Sequence, residues 1–148
     1  MGYSDDIAAR RAVFESALKA DGMRMTHQRL EVIAELAASG EHPSVEDVFR
    51  AVRVRVPTIS LDTVYRTLAT LADKGLIERL SIPGAARFDP DMGSHHHFVC
   101  TRCGLVRDIV DPALDAVRAE DATAVFGTVE TVDIHLKGIC RSCQHGGA

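Results

Sequence analysis

The sequence predicts an α+β protein built in two parts, on three observations. Four stretches of helical periodicity, each with a cap or a glycine stop, fill the first 75 residues and lead into a short strand pair. The last third alternates apolar and polar residues between two Cys-x-x-Cys pairs. Between these parts runs Asp89-Pro90-Asp91-Met92-Gly93-Ser94, a polar segment rich in turn formers, which sets boundaries of 1–88, a hinge at 89–94, and 95–148.

Residues 5 to 20 place Ile7, Val13, Phe14 and Leu18 on one side of a first helix that Gly22 stops. Thr26 caps a second helix running to about Ala38, with Leu30, Val32, Ile33 and Leu36 as its apolar stripe and Ser39-Gly40 as its close. Pro43-Ser44 opens a third, with Ser44 and Asp47 at capping-box spacing, Val45, Val48, Phe49 and Val52 facing inward, and Pro57 as terminator. Ser60 caps the fourth, where Leu61, Val64, Leu68 and Leu71 form the buried stripe and Thr63, Arg66, Thr67 and Thr70 share the other face, before Gly75 ends it. Leu76 to Ile82 and Arg87 to Asp89 read as strands around Pro83-Gly84. Helices followed by a hairpin in this order make a winged helix-turn-helix, whose last helix reads the major groove. The hydroxyls, arginine and tyrosine of that helix suit phosphates, base edges and thymine methyls, and a merely solvated polar face is the competing interpretation.

In the second part, His95 to Val99 predicts a strand, Leu105 to Val110 a second, and Thr128 to Leu136 a third. Asp111-Pro112 starts a helix with a cap and a first-turn proline, and Leu114, Val117 and Val125 give it an apolar side. So small an α/β unit needs a bound metal and a second copy of itself to bury its faces.

All four cysteines lie in those pairs, Cys100-x-x-Cys103 and Cys140-x-x-Cys143. A tight knuckle presents two thiolates to one ion, and two knuckles complete a closed tetrahedral zinc site. Redox dithiols are the alternative, but a thioredoxin-type pair would open a helix after a strand. No basic start leads into an apolar run and no stretch is long enough to span a bilayer, so export and membrane insertion are not indicated. A reducing cytoplasm follows, where paired cysteines favour metal over disulfide. The net charge of -4 argues against a strongly basic nucleic-acid coat, yet a local arginine-rich face can serve where global charge does not.

A second site is suggested by the histidines. In a strand His95 and His97 point one way and His96 the other, and two imidazoles at that spacing can chelate one ion. Asp108 on the neighbouring strand can reach the same face, Asp89 lies at the hinge, and His42 precedes the third helix. If the five converge they give nitrogens and carboxylates suited to Fe(II), Mn(II) or Zn(II); otherwise His42 caps a helix and the tract is surface histidine.

These segments together resemble the ferric uptake regulator family over nearly the whole chain. They are Gly22-Met23-Arg24-Met25-Thr26-His27-Gln28-Arg29, Glu41-His42-Pro43-Ser44, Thr63-Val64-Tyr65-Arg66-Thr67-Leu68, Arg87-Phe88-Asp89, His95-x-His97-x-x-Cys100-x-x-Cys103-Gly104 and Gly138-x-Cys140-x-x-Cys143. The resemblance implies a homodimeric, metal-activated repressor whose winged helix binds an AT-rich inverted repeat of double-stranded DNA and whose C-terminal domain dimerises. It implies structural Zn(II) on Cys100, Cys103, Cys140 and Cys143, and a regulatory Fe(II) or Mn(II) site of His42, Asp89, His95, His97 and Asp108. By the same resemblance Tyr65 and Arg66 contact DNA from the recognition helix and Arg24 enters the minor groove; the hydroxyls of Thr63 and Thr67, on the same predicted face, join them as candidate DNA contacts.

Aspartate at 108 resembles the peroxide-responsive branch, where iron-uptake regulators usually carry glutamate. A further family site uses the middle histidine of the tract, a helical carboxylate and a later histidine. His96 and Asp115 fit it, but Val132 and Ser94 depart from the pattern, leaving a weak extra site unless His135 substitutes. The resemblance therefore implies hydrogen peroxide sensing by oxidation of a ligand histidine, with an iron-responsive repressor of uptake genes, or a zinc, manganese or nickel sensor, as alternatives. An enzymatic zinc deaminase is disfavoured, since it needs a His-x-Glu segment and an open metal position.

Overall fold

The computed structural model describes residues 3–82, 84–91, 93 and 95–146, with side chains from Asp6 onward. Pro83 of the expected turn, and Met92 and Ser94 of the expected hinge, lie outside the described residues. The chain divides into two compact units, Met1–Met92 and Gly93–Ala148.

The first unit is helical with a small hairpin: α1 (Tyr3–Ala20), α2 (His27–Ala38), α3 (Val45–Arg53), α4 (Leu61–Asp73), β1 (Glu78–Leu80) and β2 (Arg87–Asp89). Local chemistry fixes the helix ends. Thr26, Ser44 and Ser60 each accept a backbone N–H two or three residues into the helix that follows, and the Ser44–Asp47 capping box is complete. Past α1 and α4, Gly22 (φ 77°) and Gly75 (φ 70°) take the left-handed conformation. Each lets the next N–H fold back on the last turn, Met23 to Leu18 and Leu76 to Leu71, a closure a side chain at the glycine would strain.

The core joins all four helices and the hairpin through Phe14, Leu18, Val32, Ile33, Leu36, Val48, Val52, Val64, Leu68, Leu71, Ile77 and Phe88. The stripes are close to those expected, with two corrections on α4. Leu61 is 44% exposed, while Thr67 is fully buried. Positions 64, 67, 68 and 71 are the i, i+3, i+4, i+7 set of a single helical face, so Thr67 belongs to the core side and gives its hydroxyl proton to the Thr63 carbonyl at 2.7 Å. Val13 on α1 is likewise half exposed. At the far end of α3, Arg55 donates to Glu31 (2.7 Å) and Glu35 (2.9 Å) and ties the helix to α2.

The second unit holds a three-stranded sheet in the order β4-β3-β5, from β3 (His96–Cys100), β4 (Val106–Ile109) and β5 (His135–Gly138). β3 and β4 are antiparallel; β3 and β5 are parallel. Two expectations fail here. The helix expected from Pro112 is two single turns, α5 (Pro112–Asp115) and α6 (Glu120–Thr123), because its apolar positions Val117 and Val125, 41% and 83% exposed, find no layer to pack on among the described residues. Thr128 to Ile134 alternates as expected yet forms no ladder among the described residues, and the strand begins only at His135. The buried core of this unit is Val99 and Val106 together with Cys100, Cys140 and Cys143, against which Phe98 and Leu105 pack. A final turn, α7 (Arg141–Gln144), carries Cys143.

Candidate metal centres and nucleic-acid interface

The cysteine cage is assembled by sheet pairing. β3 ends at Cys100, and the turn after it returns the Gly104 N–H to the Cys100 carbonyl at 2.9 Å, which brings Cys103 round. Gly104 has φ 74°, so a residue without a Cβ suits this turn. β5 runs alongside and ends at Gly138, whose carbonyl accepts from Thr101 N–H at 2.8 Å; Cys140 then stands at the N-cap of α7 and Cys143 within it. All four sulfurs lie within 4.8 Å of one another. Arg102 donates to the Cys143 carbonyl at 2.7 Å and locks the two knuckles together, a contact the spacing of the cysteines did not disclose.

The electrostatics of the cage suit a dication. The backbone N–H groups of Cys103 and Cys140 pull the Cys100 thiol down to about 6, while burial, then the neighbouring thiols, push Cys143 up to about 12. The Cys100 sulfur is thus favoured as a thiolate, the form that binds metal, while Cys143 would give up its proton on binding a tetrahedral ion. The set of four fits Zn(II) and leaves no position open to substrate.

The first unit brings His42 and Asp89 together. β2 lies against the loop before α3: Phe88 N–H donates to the Pro43 carbonyl at 2.9 Å, and Arg87 donates to the His42 carbonyl at 3.4 Å and to Asp47 at 3.1 Å. His42 Nε2 is then 3.2 Å from Asp89 Oδ2, and both residues are buried. Ser44, not His42, caps α3. The Arg87–Asp47 connection that fixes this loop was not singled out in the sequence, although the capping box supplying Asp47 was.

The second unit brings His95, His97 and Asp108 together. His97 is paired with Asp108 across the β3–β4 ladder. Asp108 Oδ1 lies 3.6 Å from His95 Nε2 and 3.7 Å from His97 Nε2, and the two imidazoles meet edge to face with centroids 4.8 Å apart. His95 Nδ1 is 2.7 Å from the Gly93 carbonyl, which accepts its proton and so turns the Nε2 lone pair toward Asp108. Two imidazoles and one carboxylate make a donor set that suits Fe(II) and other borderline divalent ions. His42 and Asp89 belong to the first unit and these three to the second.

Strand parity decides the third cluster. His96 points to the opposite face, where its Nε2 lies 3.1 Å from Asp115 and its Nδ1 accepts from Ile134 N–H at 3.3 Å. His135 pairs with His97 and packs against that ring with centroids 5.3 Å apart, so it stands on the face that His96 avoids. The expected extra site of His96, Asp115 and His135 is therefore corrected to a His96–Asp115 pair beside Val132.

Of the residues expected at DNA, Tyr65 (49% exposed) and Arg66 stand on the open face of α4, Thr63 is half-buried near its start, and Arg24 is exposed in the α1–α2 loop. Thr67 is inside the core and is withdrawn from that set. Among the described residues no helix is long and apolar enough to cross a membrane.

The model of the ferric uptake regulator family matches residues 20–143. The chain belongs to the ferric uptake regulator family. As a member it is a metal-responsive transcriptional repressor, and the family's repressors are DNA-binding dimers. The peroxide-responsive repressor of Staphylococcus epidermidis is 30% identical over 135 residues, 89% of each chain. The peroxide operon regulator of Bacillus subtilis is 32% identical over 128 residues, 86% of this chain and 88% of that one. Among solved structures, the ferric uptake regulator of Pseudomonas aeruginosa with manganese superimposes with a TM-score of 0.70 at 27% identity, covering 87% of this chain and 98% of that one.

Proposed function

We propose that this ferric uptake regulator family member represses transcription while Fe(II) or Mn(II) occupies a regulatory site, and releases its operator when hydrogen peroxide oxidises the iron-loaded form. The observation that carries the reading is the His95–His97–Asp108 set, a two-histidine, one-carboxylate group with aspartate, not glutamate, on β4. Its likeness to two peroxide-responsive regulators supports the same assignment. His42 and Asp89 complete the ligands from the first unit, so occupancy favours one arrangement of the reading head over others and couples metal to DNA through that difference in affinity.

Ferrous iron, when bound, supplies the one-electron reduction of hydrogen peroxide. The chain supplies the oxidisable ligands and their orientation. The Gly93 carbonyl holds the His95 ring by Nδ1, and Asp89 faces Nε2 of His42. An oxygen atom added to His42 or His95 would spoil that histidine as a donor and open the clamp. Zinc in the four-cysteine cage keeps the second unit folded throughout.

DNA is read by α4, with Tyr65, Arg66 and Thr63 toward the major groove of an AT-rich inverted repeat and Arg24 toward the minor groove. A second copy of the chain supplies the other half-site and covers the apolar side chains that the second unit exposes, including Val125, Phe126, Leu136 and Ile139. The deciding experiment measures operator binding by protein loaded with Fe(II) or with Mn(II), before and after peroxide. Loss in the iron form alone, with one added oxygen on His42 or His95 by mass spectrometry, supports the sensor. Retained binding in both forms rejects it in favour of an iron-responsive repressor.

A further inference from the structure

The exposed face of α4 carries an acidic residue where a DNA-reading helix would be expected to avoid one. Asp62 lies in the first turn, and its Oδ2 is 2.9 Å from Arg66 Nε, with the two side chains 67% and 70% exposed. An exposed i,i+4 pair of this kind adds little to stability. Near phosphates a carboxylate also opposes binding, because it offsets the charge that draws the helix to DNA. A first-turn carboxylate suits the positive end of the helix, but the side chain of Asp62 is turned to Arg66, and that contact is what bears on DNA.

Arginine has five N–H donors in a rigid planar fork. When Asp62 takes the Nε–H side, the end of the guanidinium remains, presenting one N–H from each Nη in parallel. That edge matches the O6 and N7 acceptors of guanine in the major groove. Without Asp62, Arg66 is a long side chain free to swing to phosphates on either side, which yields affinity without base preference.

We propose that Asp62 is a positioning residue for base reading: it holds Arg66 end-on toward a guanine, and so gives the operator half-site one guanine-dependent position. This rests on the reading of α4 as the DNA-entering helix, and the test keeps the two apart. The Mn(II)-loaded full-length protein is used to select binding sequences from a pool of random duplexes, and affinities are then measured over a range of salt concentrations. Wild type should select an inverted repeat with one required guanine in each half, and Arg66→Ala should lose that requirement. Asp62→Ala should keep the rest of the site, keep or gain overall affinity, and lower the guanine preference by roughly threefold or more, as a share of what a bidentate contact is worth. Asp62→Glu should restore the preference.

Full guanine preference in Asp62→Ala would overturn the proposal, as would an equal loss of affinity at every position, which is the mark of a damaged helix. If wild type selects a repeat that does not depend on Arg66, the proposal falls and the repressor reading stands. If wild type selects no sequence at all, both fall.

Discussion

Donors from Ser44, Arg87 and Arg50 converge on the carboxylate of Asp47, which ties α3, its leading loop and β2 to one side chain. The Ser44 backbone N–H, more than any other cause, holds this carboxyl below its ordinary value of 3.8. A depressed folded-state value contributes stability that is present above the unfolded value and lost as pH falls through the folded one. Asp47→Ala is accordingly expected to cost about 1 kcal/mol near neutral pH, the usual worth of a cap. The gap to wild type should narrow as pH falls below the ordinary value of 3.8. Urea unfolding of metal-free protein, followed by helical circular dichroism at pH 7 and pH 3, checks both; a gap unchanged at pH 3 would assign the loss to something other than charge. The side chain matters to the site because Arg87 also grips the His42 carbonyl. The Ser44–Asp47 spacing was legible in the sequence, but its connection to Arg87, forty residues on, was not, since only the folded hairpin delivers that guanidinium.

Helix α4 and the strands show where element-level patterns succeed and fail. Caps, glycine stops and the stripes of α2 and α3 were readable because each depends on neighbours three or four residues away. Thr67 was misplaced because its hydroxyl suggested a polar face, whereas its phase places it with Val64, Leu68 and Leu71. Replacing it tests the correction: Thr67→Val should bind operator within about twofold of wild type, since the hydroxyl serves only the Thr63 carbonyl, while Tyr65→Ala should bind severalfold more weakly. Equal losses would return Thr67 to the interface. The segment from Thr128 to Ile134 has a strand's alternation without a ladder among the described residues, because alternation specifies a two-faced ribbon and not the partner that pairs with it. The same limit applies to α5 and α6, whose apolar positions predict a helix only when a layer exists to receive them.

The whole molecule divides its dependence on metal unevenly. The first unit has a continuous apolar core of its own, while the second buries few apolar side chains besides Val99, Val106, Cys100, Cys140 and Cys143, alongside the polar His96 and His97. Stripping zinc with a strong chelator, or introducing Cys143→Ser, is expected to dissolve the second unit and the dimer while most helical signal survives. Sedimentation together with far-UV circular dichroism reads both, and an intact zinc-free dimer would contradict the division. Phe126→Asp, at a residue 87% exposed, should by contrast weaken association without loss of zinc, scored as a concentration-dependent monomer. Both cysteine knuckles were plain from spacing, as was the two-part plan. The histidine tract was sorted in the sequence by strand alternation, which sets His95 and His97 on one face and His96 on the other. The pairing of His97 with Asp108 is what the ladder adds. One residue inserted between His97 and Phe98 would leave every imidazole in the chain yet hand the chelating role to the wrong neighbours, so a frame shift of a single position would undo the site as surely as deleting a ligand.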